Sequence, residues 1–161
     1  IDGVRYGYHA DGANLLEDYM RSRGDGFGRE VRRRILLGTY VLSSGYYDSY
    51  YGRACAVREM LKKDLEKAFE DVDIIATPTT PTPAFKIGEK SSDPLQMYLA
   101  DIFTVPVNIA GVPAISIPSG YVEEGSAKLP LGIQFFAPHF GESVLFEAGK
   151  DFENTQKSNN I

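Results

Sequence analysis

Histidine occurs twice and cysteine once in this 161-residue chain, and each scarcity removes a class of chemistry. A lone Cys55 rules out an intrachain disulfide and fits a reducing compartment. His9 and His139 form no His-x-x-x-His pair, and neither a Cys-x-x-Cys nor an acidic calcium loop is present, so no metal site is expected. There is no Gly-x-Ser-x-Gly elbow. A Ser–His–acid triad would need one of the two histidines beside a serine that the sequence does not single out. Glycine loops ending in Gly-Lys-Ser/Thr, which cradle phosphates, are absent as well. No run approaches the roughly 20 apolar residues of a membrane span. The opening Ile1-Asp2-Gly3-Val4-Arg5-Tyr6-Gly7 lacks the basic and apolar regions of a signal peptide and reads as an internal strand and turn.

What is present suits one domain or a large piece of one. The hydrophobic fraction of 43% supports a real core, and the net charge of −5 argues against a dedicated nucleic-acid-binding module. Arg29, Arg32, Arg33 and Arg34 stand out as a basic run within this acidic chain. Charge runs are generally solvated helical faces, here with at least one arginine turned inward; direct RNA contact is the alternative.

Apolar periodicity predicts a short amphipathic helix over 12–23, ended near Gly24. A second begins around Glu30 and becomes apolar on nearly all sides from Ile35 to Leu42, a pattern that predicts burial. Ser43-Ser44-Gly45 reads as its stop signal. The longest helix is expected over about 47–70, with Ala54, Val57, Leu61, Leu65 and Ala68 as its buried stripe. Tyr46, Tyr47, Tyr50 and Tyr51 crowd its start, more in the manner of packing or interface aromatics than of a cofactor box. Val72–Ala76 reads as a buried strand that Pro78 closes, and the proline-rich 77–83 as a rigid loop outside the sheet. Asp93-Pro94 should open a helix whose inner face carries Leu95, Tyr98, Leu99, Ile102 and Phe103. Residues 114–118 and 131–136 read as strands, with a polar turn over 123–128. A last helix over 142–155 precedes a frayed tail, residues 156–161. The succession of helices and apolar strands predicts an α/β class.

Several segments add a family resemblance. They are 32–51 (Arg32-Arg33-Arg34-Ile35-Leu36-Leu37-Gly38-Thr39-Tyr40 on to Tyr51), 81–88 and 93–120, the last containing Val105-Pro106-Val107-Asn108-Ile109-Ala110-Gly111-Val112-Pro113. Together with Leu129-Pro130-Leu131-Gly132-Ile133-Gln134, they resemble, in order and over roughly 1–155, the C-terminal portion of the amidase-signature family. Within it they are most similar to the glutaminase subunits of tRNA-dependent amidotransferases. The resemblance implies a mixed β-sheet flanked by helices, with residues 1–155 part of a single domain. It implies hydrolysis of glutamine, with the ammonia passed to partner subunits (B and C of the assembly). Those partners would amidate glutamyl- or aspartyl-tRNA using ATP and Mg, and would hold most of the tRNA. The setting would be cytoplasmic.

The family's catalytic set is a serine nucleophile, a second serine on a cis peptide and a lysine. They lie in a Gly/Ser-rich signature that these residues do not contain, so no catalytic residue is carried over and the chain by itself is expected to be inactive. Two binding residues are carried over. The family's carboxylate-binding arginine matches Arg34, and its ammonium-binding aspartate matches Asp101. The chemistry agrees, since a guanidinium fork suits the α-carboxylate of glutamine and a carboxylate suits its α-ammonium. The alternatives are an Arg34 paired with Glu30 one turn earlier, and an Asp101 that is only a helix-surface carboxylate. A different amidase-signature hydrolase acting on a simpler amide, or a non-catalytic scaffold, are the competing functions. A neutral amide would leave both charges without a counterpart.

Overall fold

A computed structural model describes residues 5–90 and 94–158. The chain divides into two compact units, Ile1–Cys55 and Ala56–Ile161.

The first unit is helical. α1 spans Leu15–Gly26, two residues beyond Gly24 at its end, and is capped by Asn14, whose side chain accepts from the Glu17 N–H. Ser22 on its inner side accepts from the Ala10 N–H at 2.9 Å, which ties the preceding segment to the helix. α2 spans Arg29–Val41. Its apolar pattern predicts burial, yet no residue of α2 is buried, and Leu36 is 71% exposed. Periodicity reveals which positions are apolar but not what covers them. Beyond Ser43-Ser44-Gly45 the expected long helix opens as a π-helical turn, Tyr47–Gly52, and becomes regular only in α3, Arg53–Ala68. The tyrosines stack on one another: Tyr40 on Tyr46 with ring centres 4.4 Å apart, and Tyr47 on Tyr51 at 5.1 Å. Their flanks stay exposed.

The second unit holds the core. Three strands, β1 (Ile75–Pro78), β2 (Ala114–Glu124) and β3 (Ala127–Phe136), form a sheet in the order β1-β3-β2, both pairings antiparallel. The α/β class is as expected; β2 and β3 are longer than expected, and β1 is shifted toward Pro78. β2 and β3 run on to a tight turn at Gly125-Ser126, where Gly125 takes a φ of 65°. The expectation that Thr77 and Pro78 leave the sheet is corrected: Thr77 pairs with Gln134, and Pro78 with Ile133. Pro78 is tolerated because β1 has one neighbour among the described residues, so its missing N–H falls on an open side. Pro118 sits in β2, likewise at an edge, beside a register shift before Gly120.

α6, Glu142–Ser158, packs on one face of this sheet. Ile117, Phe135, Ala137 and Leu145 are buried there, with Ile115, Ile133, Ala148 and Phe152 against them. The helix runs through Ser158. Side chains alternate along β3, and Gln134 and Phe136 therefore point to the other face. Phe69, just beyond α3, meets Phe136 edge-on at 6.3 Å, and Gln134 reaches the Phe103 carbonyl. The helix expected after residue 93 is two short ones, α4 (Pro94–Leu99) and α5 (Thr104–Ala110), separated by a turn. The expected Asp93 cap lies outside the described residues. Leu95, Tyr98, Leu99 and Ile102, expected on an inner face, are exposed.

Candidate functional site

Arg34 sits in the middle of α2, in the first unit. Its Nε donates to Glu30 Oε1 at 3.0 Å, and Arg33 makes two 2.9 Å hydrogen bonds to the same carboxylate. The Arg34 side chain is 65% exposed. The intrahelical pair weighed as the alternative to ligand binding is therefore present. It does not exclude the binding role, because water screens an exposed pair and leaves it weak. Glu30's carboxyl is held below its ordinary value, first by the hydrogen bond from Arg33 and, against the opposing effect of desolvation, by that from Arg34.

Asp101 lies in the second unit, on the turn between α4 and α5 rather than on a helix surface. The turn is wound by i→i−3 bonds: Ala100 N–H to Met97 O, Asp101 N–H to Tyr98 O and Ile102 N–H to Leu99 O, all 3.2–3.3 Å. The Asp101 carbonyl then accepts from the N–H groups of Thr104 and Val105 at 3.1 and 2.9 Å, so its backbone starts α5. Its side chain is exposed.

Ser43 behaves as the stop signal suggests. Its hydroxyl donates to the Tyr40 carbonyl at 2.6 Å and its amide bonds the same oxygen. The Tyr40 hydroxyl has its pKa raised by hydrogen bonding with Tyr46, then by desolvation and by Tyr50. Among the described residues no group of three His, Cys, Asp or Glu side chains is placed to hold a metal ion, and no helix is long and apolar enough to cross a membrane. A cavity of about 320 Å³ in the second unit is floored by Leu65, Phe69, Ala110 and Val112 and rimmed by Lys62 and His139. A shallower one of about 360 Å³ lies over Thr77, Ser119 and Gly132. Neither Arg34 nor Asp101 lines these two.

Gln134 is not singled out by the sequence. Its one signal is an amide inside the apolar run Leu131–Phe136. Gly132 beside it is required by close approach: a Cβ there would lie 2.8 Å from Thr79 Oγ1, whose hydroxyl bridges across to Ser116 Oγ at 2.7 Å.

The chain is a member of the amidase family, whose sequence profile matches residues 3–146. Among curated proteins it is 58% identical over 154 residues to the A component of glutamyl-tRNA(Gln) amidotransferase from Geobacillus thermodenitrificans. It is 56% identical, also over 154 residues, to the counterpart of that protein in Thermodesulfovibrio yellowstonii. These alignments cover 95% and 96% of this chain and 31% of each relative, so the chain spans about a third of their length. Among solved structures, a chain of a vestigial protein complex said to reveal the evolutionary origins of an s-triazine catabolic enzyme superposes with a TM-score of 0.65. It is 27% identical, with 88% of this chain and 30% of that one covered. Allophanate hydrolase of Kluyveromyces lactis superposes at 0.62 with 21% identity, over 84% of this chain and 22% of that one, a likeness of fold alone.

Proposed function

We propose that this chain is the C-terminal part of the glutaminase subunit of a tRNA-dependent amidotransferase, with residues 1–155 in a single domain. The observation that carries the reading is the 58% identity spanning 95% of the chain. In this reading the nucleophilic serine acts from polypeptide that these residues do not include. Arg34 and Asp101 grip the substrate: the guanidinium takes the α-carboxylate of glutamine, and the carboxylate takes the α-ammonium. Holding both ends aims the side-chain amide at the nucleophile, so binding energy is converted into orientation. The amide carbon is attacked, ammonia leaves, and water releases glutamate from the acyl-enzyme.

The ammonia is then consumed by partner subunits B and C, where ATP with its Mg activates the glutamyl or aspartyl end of the charged tRNA. This chain contributes the amino-acid pocket to that assembly, in the cytoplasm. The tyrosine-rich turn and the proline-rich loop serve as scaffold or subunit contacts.

Steady-state glutaminase kinetics of the intact subunit test the reading. Arg34→Ala and Asp101→Asn should each raise the glutamine KM while kcat changes little. Unchanged kinetics in both variants would remove the pair from the pocket. Supplied ammonia should bypass both defects.

A further inference from the structure

Gln134 is 5% exposed and is one of two buried polar side chains among the described residues, Ser22 being the other. An amide in an apolar interior is costly unless its donors are used. Gln134 Nε2 spends its two hydrogens on Thr77 Oγ1 and on the Phe103 carbonyl, both at 3.1 Å. Thr77 belongs to the neighbouring strand β1. Phe103 closes the turn that carries Asp101.

That turn is held only weakly by its own winding. Its backbone bonds are of the i→i−3 kind, with poorer geometry than those of an α-helix. Leu99 and Ile102 are exposed, so burial does not anchor it. Directional hydrogen bonds do. The Asp101 carbonyl is fixed to the first turn of α5, and the Phe103 carbonyl is fixed to the sheet by Gln134. We propose that Gln134 is a positioning residue for Asp101: it touches no substrate, and by holding the Phe103 carbonyl against β3 it sets where the Asp101 carboxylate stands. The proposal rests on Asp101 binding the ammonium of glutamine, as in the proposed function.

The experiment is a double-mutant cycle read by glutaminase kinetics of the intact subunit in complex with its partners. Gln134→Met keeps length and removes the donors. It should raise the glutamine KM about five- to tenfold with kcat within about twofold, the scale of one buried hydrogen bond. In an Asp101→Asn background the same substitution should add nothing, because the carboxylate it positions is gone. Equal factors in both backgrounds overturn the proposal and leave Gln134 a merely structural residue. An Asp101→Asn variant with ordinary KM instead sinks the pocket assignment, a separately visible result. If Gln134→Met gives no folded protein, Thr77→Val takes its place in the cycle. It frees one side of the amide, and a KM unchanged in that variant overturns the proposal too.

Discussion

Arg34 and Glu30 face each other across one turn of α2, with Nε and Oε1 3.0 Å apart, so the arginine proposed to bind the substrate carboxylate is already held by a carboxylate of its own helix. The two roles are compatible when the internal pair is weak and the ligand pair strong. An exposed pair one turn apart is screened by water, whereas a bidentate fork on a substrate carboxylate makes two charge-assisted bonds.

From this follows the expected ranking of variants. Arg34→Ala should raise the glutamine KM about ten- to hundredfold, the scale of lost hydrogen bonds to a charged group. Arg34→Lys should recover little of it, because an ammonium cannot reproduce the planar fork. Glu30→Gln should change KM by less than about threefold, as loss of a weak exposed pair implies. A larger effect of Glu30→Gln than of Arg34→Lys would reverse the assignment.

The same cluster sets a pH signature. Glu30's carboxyl is lowered from an ordinary value of 4.5, chiefly by its hydrogen bond from Arg33. A carboxyl lowered in the folded state contributes stability that is fully present above its unfolded value and is lost as pH falls through the folded one. The Glu30 side chain is about half exposed, so solvent screening keeps the effect on stability small and the titration itself is the better readout. A carboxyl-detected NMR titration should place Glu30 below 4.5. Arg33→Ala should move it upward more than Arg34→Ala does, since Arg33 is the larger cause.

How much of this is legible in the sequence depends on what each signal encodes. The sites of α1, α2, α3 and α6 follow from three- and four-residue apolar steps, which report a helix face directly. The exposure of Leu36 is hidden because an apolar step names a surface and not its cover. Pro78 misleads because a proline is excluded from strand interiors but not from an open edge. Asp101 reads as helical because apolar neighbours continue on both sides of it, and the turn breaks that pattern only through backbone bonding. The match of Arg34 and Asp101 to a pocket comes from extended motif resemblance, since neither residue announces a ligand by its spacing.

The contrast between α2 and α6 can be measured in this chain itself. Leu36→Ala removes a largely exposed side chain and should change stability by less than about 0.5 kcal/mol. Leu145→Ala deletes a side chain only 3% exposed, within the cluster of Ile117 and Phe135, and should cost about 2–5 kcal/mol. Denaturant unfolding of the two variants checks the order, and equal costs would contradict the division between covered and uncovered faces.

Gly149 offers the sharpest test of how α6 seats on the sheet. It is buried in the middle of the helix, where a glycine ordinarily costs about 1 kcal/mol against alanine. A Cβ at this position would stand 3.0 Å from Ile117 Cδ1 and 3.1 Å from Ile115 Cδ1. Both neighbours are ends of side chains, so a methyl group can be admitted by a shift of a few tenths of an ångström. Gly149→Ala should therefore be close to neutral, helix propensity offsetting the crowding. Gly149→Val adds two more carbons at a contact already tight and loses rotamer freedom in the helix, and should destabilise by about 1–3 kcal/mol. Pairing it with Ile117→Val, which trims the opposing methyl group, should recover part of that loss. Thermal unfolding of the parent, the two single variants and the double variant reads the cycle. Additive losses in the double variant would mean that Gly149 and Ile117 are not in contact and that α6 lies elsewhere on β2.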